Sequence, residues 1–237
     1  MKQPSVSVVI PALNAAKYLS LAIESIKAQN HQNLEILVVD DASQDNTVEV
    51  ARAYGVQVFQ LTHQSGAAVA RNHGIAQAQG ELIAFLDADD EWLPNKLTKQ
   101  IQLLLTYPHL QGITGYMQLY QQQNQVYLEK IIGFIPSFGT ALLRREIFTR
   151  VGICNPDFYM CDDLDWFNRA REHSEVLALM PEVVLLYRQH ENNITNDQQK
   201  VQYWIARVFQ ERLRRFGHHP PALTEIPILE ADHEITN

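Results

Sequence analysis

Glycine is scarce where a phosphate-binding loop would need it. The first apolar run, "VSVVI" (Val6–Ile10), leads into "PALNAAKYL", which contains none. A dinucleotide site needs G-x-G-x-x-G after its first strand, so that backbone can approach a pyrophosphate. That fingerprint is missing, and G-x-x-x-x-G-K-[ST] occurs nowhere in the 237 residues. Cysteine is scarce too. Cys154 and Cys161 are the only two, with no CxxC pair, which excludes a disulfide framework and a zinc ribbon and suits a reducing compartment. Positive charge is in deficit: 19 Lys and Arg face 27 Asp and Glu, for a net charge of -8. An acidic chain is a poor partner for a nucleic-acid backbone. No apolar run approaches the roughly 20 residues of a membrane span, and "MKQPSVSVVIPALN" lacks a signal-peptide pattern. Together these absences predict a cytoplasmic protein. In that setting the glycosylation match Asn193-Ile194-Thr195 is a chance one.

What is present is a regular alternation. "VSVVI", "LEILVV" (Leu34–Val39), "VQVFQL" and "ELIAFL" (Glu81–Leu86) read as short buried strands. Between them Leu19, Ala22, Ile23 and Ile26 recur at helical spacing. A second helix is expected from Gln44 to Tyr54, capped by Ser43, and a third from Gly66 to Gln77. Strand–helix alternation with short connections predicts an α/β fold: a mostly parallel open sheet with helices on both faces.

The second half is less regular. A helix is expected from Pro94 to Thr106, and strands in "GITGYMQLY" and "NQVYLEKIIGF", with a hairpin turn across Gln121–Gln125. "FGTALLRREIF" reads as a strand and a short helix, Asp162–Arg171 as a helix, and Val183–Tyr187 as a strand. Val201, Trp204, Ile205, Val208 and Phe209 form an apolar stripe on a last helix. The tail from Gly217 to Asn237 shows no periodicity and is expected to pack loosely or be disordered. The expected division is a regular half at 1–110, a less regular half at 111–216, and a tail at 217–237.

Ligands of open parallel sheets bind beyond the carboxyl ends of the strands. There the second strand ends on Asp40-Asp41 and the fourth on "DADD", Asp87-Ala88-Asp89-Asp90. Carboxylates repel phosphate, but they can hold it through a hard divalent cation that accepts oxygen ligands from both sides. Mg2+ or Mn2+ with a diphosphate answers the charge problem. A bland reading, turn and helix-capping acids, fits "DADD" taken alone.

Four segments together, "VSVVIPALN", "LEILVVDDASQDNT", "ARNHGIAQAQGELIAFLDADDEWLP" and "DDLDWFNRA", resemble the family 2 glycosyltransferases of GT-A fold. The resemblance covers roughly Ser5 to Thr195. It implies a nucleotide-sugar-binding half at 1–110 built on the sheet, a smaller acceptor-binding and catalytic-base half of the same domain at 111–216, and an inverting, metal-dependent sugar transfer from a nucleotide-sugar, UDP-linked, to a glycan, lipid-linked or other hydroxyl acceptor. A peripheral membrane contact is compatible with it. Residue by residue, Pro11, Ala12 and Asn14 would line the base, and Asp41 would hydrogen-bond it. Asp87 would lie near ribose and diphosphate, Asp89 would ligate the metal, and Arg71 would lie near the nucleotide-sugar. Position 88, between the two acids, holds an alanine and not an aspartate, and no binding role is expected of Ala88. Asp163 would be the general base, second of an Asp162-Asp163 pair where the family commonly has Glu-Asp. In "YRQHENNIT", His190 would lie at the metal or diphosphate. The cofactor would be Mn2+ or Mg2+. Two other classes remain open: a catalytically silent sugar-nucleotide or glycan-binding protein on the same scaffold, and a metal-dependent nucleotidyltransferase or hydrolase.

Overall fold

Four short apolar runs set the first half. In the computed structural model, which describes residues 3–121, 131–132, 136–191, 193–217 and 219–229, β1 (Val6–Ala12), β2 (Leu34–Asp40), β3 (Gln57–Gln60) and β4 (Leu82–Phe85) lie parallel in the order β3-β2-β1-β4. Helices α1 (Leu19–Lys27), α2 (Thr47–Ala53) and α3 (Ala67–Gln77) connect them in turn. Successive strand residues face opposite sides, and the core divides accordingly. Val8 and Ile10 pack with Leu19, Ala22 and Ile23 of α1 and Ala51 of α2. Val9 packs with Ala68 and Ala70 of α3. All seven residues of β1 are buried, which is why the strand reads as a continuous apolar run. Helix α3 approaches so closely that a Cβ on Gly74 would sit 2.2 Å from Val9 Cγ1.

Beyond β4 the sheet becomes mixed. The remaining elements are β5 (Glu91–Trp92), α4 (Lys96–Thr106), β6 (Gly112–Gln121), β7 (Ile131–Ile132), β8 (Leu142–Arg144), α5 (Ile147–Val151), α6 (Asp162–Glu172), β9 (Leu177–Gln189) and α7 (Gln198–Phe216). β8 runs antiparallel between β4 and β6, β9 runs parallel to β6, and β5 pairs antiparallel with β9. Ile131 and Ile132 pair antiparallel with Gln118 and Met117. The turn expected at Gln121–Gln125 lies, past Gln121, outside the described residues, as do most of "NQVYLEKIIGF" and His218.

Several expectations need correction. Ser43 does not cap α2, which starts at Thr47. Asp45 accepts the Thr47 amide instead (3.0 Å), while Ser43 Oγ accepts from the Asn14 amide. Strand β9 has 13 residues, not five. Pro181 and Glu182 fall at its irregularity, where Thr114 pairs with Leu179 but Tyr116 pairs with Val183; a proline cannot donate to the ladder, so the sequence hid the join. The tail is not loose between 219 and 229. The Leu179 amide donates to Pro227 O and the Leu229 amide to Leu179 O, both at 2.8 Å. Residues 227–229 thereby cover the edge of β9 that β5 does not reach. The stripe on α7 is mostly not core: Val208 is buried, Trp204 is half-buried against Phe158, and Ile205 and Phe209 are exposed.

Candidate active site

The crevice forms where β1, β2 and β4 end. Pro11 sits in the middle of a sheet, where proline normally costs a ladder bond. Here it does not. Val9 O accepts from the Leu86 amide on the β4 side and Ala12 O from the Asp41 amide on the β2 side. By alternation Pro11 nitrogen faces β4, which has already ended at Phe85. Beyond Ala12 the chain turns at Asn14, with φ of 50°. Asparagine tolerates that left-handed conformation better than most residues. Asn14 Oδ1 accepts from the Gln44 amide at 2.8 Å, the Ala15 amide donates to Thr47 Oγ1 at 2.8 Å, and the Ala16 amide donates to Asp45 at 3.1 Å. The two loops that follow β1 and β2 are thus one hydrogen-bonded unit. Pro11 and Ala12 are buried in it and Asn14 is exposed.

Asp41 is buried, and each of its oxygens is already engaged. They accept the amides of Ser65 (2.7 Å) and Gly66 (2.8 Å) at the start of α3. Any contact with a base must share an oxygen that also closes this loop.

Arg71, on the buried face of α3, bridges the two acidic clusters. Its guanidinium reaches Asp87 at 2.6 Å and Asp162 at 2.7 and 2.9 Å, and it lies over the Phe138 ring. It therefore connects the end of β4 to the start of α6. Position 88 is alanine where its neighbours on either side are aspartates. Ala88 is buried in the apolar core with Leu86 and Trp92, so it contributes no carboxylate to the crevice and holds no ligand. An aspartate there would have to bury an unpaired charge among apolar side chains. Asp89 is met by His190, with Nε2 3.0 Å from Oδ2. Burial and then the nearby Asp87 push the Asp89 carboxyl above its ordinary range, against the opposing pull of His190. Asp90 is buried and accepts from the Arg188 amide at 2.9 Å. Its carboxyl is pushed well up, chiefly by burial and then by Asp89 and Asp87.

Helix α6 presents the second cluster. Cys161, at φ 62°, turns the chain into the helix. Trp166 anchors it: its ring is fully buried 5.0 Å from Phe148 and 5.3 Å from Phe138, and Nε1 donates to Gly152 O at 2.8 Å. Burying an aromatic of this size contributes about 1.5–3 kcal/mol. Asp162 is held by Arg71, and Asp165 by Arg169 and Arg215. Asp163, half-buried between them, accepts only the Leu164 amide, at 2.8 Å, among the described residues. Burial, with the neighbouring Asp162 next, pushes its carboxyl up to about 7, although Arg71 opposes the rise.

The structure ties Asp87 to Asp162 through Arg71 and pairs Asp89 with His190; Asp163, next to Asp162 in the chain, bonds none of these side chains among the described residues. Two residues escaped the sequence reading. Arg188 and Tyr18 surround the Asp89–His190 pair. The only signal in sequence was that Arg188 stands two residues before His190, which follows the end of β9 at Gln189.

Among the described residues no group of three or more His, Cys, Asp or Glu side chains gathers as a closed metal cage. Asp89 and His190 offer one oxygen and one nitrogen donor in contact. Two protein donors fit a divalent ion that keeps positions for diphosphate oxygens and water.

Comparison with known proteins agrees with this geometry. The family model for Glycosyl transferase family 2 matches residues 7–161. A putative teichuronic acid biosynthesis glycosyltransferase, TuaG of Bacillus subtilis, is 38% identical over 124 residues, 50% of this chain and 49% of TuaG. The UDP-Glc:alpha-D-GlcNAc-diphosphoundecaprenol beta-1,3-glucosyltransferase WfgD of Escherichia coli is 43% identical over 103 residues, 42% of this chain and 41% of WfgD. The chain thus aligns with about half or less of each of these relatives. The mannosyltransferase PcManGT of Pyrobaculum calidifontis, solved with GDP-Man and Mn2+, superposes with a TM-score of 0.72 at 19% identity, over 93% of this chain and 67% of that one. The α/β architecture with its mixed, curled sheet is that of the GT-A glycosyltransferases.

Proposed function

This chain belongs to glycosyl transferase family 2, and we propose that it moves a sugar from a UDP-linked donor to an acceptor hydroxyl with inversion, using Asp163 as general base. One observation carries the reading. Of the six aspartates in the two clusters, five are engaged by arginine or histidine residues. Asp163 has none among the described residues, and burial lifts its carboxyl to about 7. A base near the working pH is where general-base catalysis is most effective.

The remaining roles follow from position. Pro11, Ala12, Asn14 and Asp41 receive the base. Asp87 faces ribose and diphosphate, tied down by Arg71. Asp89 and His190 would hold Mn2+ or Mg2+, whose charge offsets that developing on the leaving diphosphate; the imidazole nitrogen favours Mn2+ over the oxygen-seeking Mg2+. An acceptor hydroxyl has a pKa far above neutral, so its proton must pass to Asp163 Oδ as attack proceeds. Attack on the face opposite the diphosphate inverts the anomeric centre. Arg71 keeps donor-side Asp87 and acceptor-side Asp162 in fixed relation, which holds Asp163 in register with the bond that breaks.

The residues 111–216 form the acceptor side of this reading. WfgD, by its name, acts on a lipid-linked diphosphate acceptor, and a glycan or lipid-linked glycan is the acceptor class we assign here. No helix among the described residues is long and apolar enough to cross a membrane, so a lipid-linked acceptor would be met at the membrane surface. The free thiols Cys154 and Cys161 and a nucleotide-sugar donor suit the cytoplasm. The test is incubation with UDP-sugars and Mn2+, with and without a lipid-linked or soluble glycan. Donor consumption that needs the acceptor supports transfer. Consumption without acceptor supports a hydrolase, and binding without consumption a silent scaffold.

A further inference from the structure

Arg188 is 1% exposed, and its guanidinium does more than form an ion pair. Its Nε donates to the main-chain carbonyl of Asp89 at 2.9 Å, and its Nη2 meets the Glu91 carboxylate. Its own amide donates to Asp90 Oδ1 at 2.9 Å. One residue of β9 thus grips the turn 89–91 at three points. The guanidinium is also stacked: its carbon lies 5.1 Å from the Tyr18 ring centroid and 4.9 Å from that of Tyr120. The Tyr18 ring in turn stacks on His190, 4.9 Å between centroids and 19° between planes. Tyr18 precedes α1, four residues beyond Asn14.

We propose that Arg188 and Tyr18 are positioning residues for the cation site. Arg188 fixes the backbone of Asp89, Tyr18 fixes the ring plane of His190, and the contact between the two sets the separation of the pair. Tyr18 further links that pair to the loop that receives the base. The inference rests on the reading of Asp89 and His190 as cation ligands. Lysine cannot reproduce the grip, because a point charge lacks the planar fork and the stacking face. Partners that orient metal ligands typically matter 10–100-fold in metal affinity.

The test is calorimetric titration of UDP, with and without Mn2+, into the parent, Arg188→Lys, Arg188→Met, Tyr18→Phe and Tyr18→Ala, with thermal unfolding of each without ligand. The parent is expected to bind UDP more tightly with Mn2+. Arg188→Lys and Tyr18→Ala should lose about 10-fold or more of that Mn2+-dependent gain while metal-free UDP affinity holds. Tyr18→Phe, which keeps the ring, should match the parent. Arg188→Met leaves the Glu91 carboxylate and the Asp89 carbonyl without their guanidinium partner, while the main-chain amide still meets Asp90; if it fails to fold, Arg188→Lys carries the decision. Parental Mn2+-dependent binding in Arg188→Lys and Tyr18→Ala overturns the positioning role and leaves the cation reading standing. Equal loss with and without Mn2+ also overturns it, because it marks a general structural defect. A parent that binds UDP equally with and without Mn2+ overturns the cation reading itself, and this inference with it.

Discussion

Asp87, Asp89 and Asp90 follow a strand on the proposed donor side; Asp162, Asp163 and Asp165 open a helix on the proposed acceptor side. Both clusters concentrate negative charge that would repel itself if left alone, and both touch Arg71. On the donor side every carboxylate is met: Arg71 at Asp87, His190 at Asp89, the Arg188 amide at Asp90. On the acceptor side the outer two are met and the middle one is not. A helix N-terminus favours ionised first-turn acids, yet burial and Asp162 outweigh that at Asp163. The difference separates tasks. Fully partnered carboxylates suit fixed binding, and a lone, half-buried one suits proton transfer.

The largest effect should come from removing the one unpartnered group. Asp163→Asn keeps the volume and can still accept a hydrogen bond from the acceptor, but it cannot take a proton at neutral pH. Transfer measured on saturating donor should fall about 10²–10⁴-fold. UDP affinity by calorimetry should stay at the parental value. Equal loss in both would dissolve the contrast between the clusters.

On the donor side the effect should be on binding. Asp89→Asn should abolish most Mn2+-dependent UDP affinity while leaving the unfolding temperature near parental, since the side chain stands at a strand end. Parental Mn2+-dependent binding would show that the cation sits elsewhere. Asp41→Ala is expected to weaken UDP binding and also to lower stability by about 1–3 kcal/mol, because the part-buried amides of Ser65 and Gly66 lose their acceptor. Thermal unfolding of the unliganded variant separates the two contributions.

The smallest effect should come from strain at the helix start. Cys161 is neither glycine nor asparagine, yet it adopts φ 62°. Cys161→Gly should change stability by no more than about 1 kcal/mol, with relief of the left-handed conformation offset by a more flexible unfolded chain. Transfer should persist. A large loss of transfer would mean that the thiol itself contributes to the acceptor side.

The donor half was legible because its chemistry is local. A buried parallel strand has to be mostly apolar, and β1, β2 and β4 announce themselves as such, with Ser7 and Glu35 as the polar exceptions inside them. Asp41, Asp87 and Asp89 follow their strands at once, so the crevice could be drawn before the fold was seen. The partners of those acids were less legible. Arg71 bridges to Asp162 across 91 positions, and His190 meets Asp89 across 101. The separations themselves carry no signal in the sequence. β5 was missed because two residues set no period. The true length of β9 was hidden by Pro181, and the docking of the tail by its dependence on a bare strand edge. Asp163 could be singled out only by resemblance. What distinguishes it from Asp162 and Asp165 is the absence of a cationic partner in three dimensions.

That distinction has a consequence in pH. The raised carboxyl of Asp163 must ionise before it can act, so transfer should fall about tenfold per unit below about pH 7. The same shift has the opposite sign for stability. Between the ordinary carboxylate range and about 7, the folded chain retains a proton that the unfolded chain has released. Parental stability should therefore decline as pH rises through that window, and Asp163→Asn should lack the decline.

The most direct test is the pH dependence of single-turnover transfer with enzyme-bound donor and saturating acceptor, from pH 5 to 9, with UDP affinity measured at each pH. The account predicts an acidic limb that bends near pH 7, over a range where UDP affinity stays flat, and no such limb in the residual rate of Asp163→Asn. A parental rate flat down to pH 5, or a limb that also appears in the Asn variant, would contradict it.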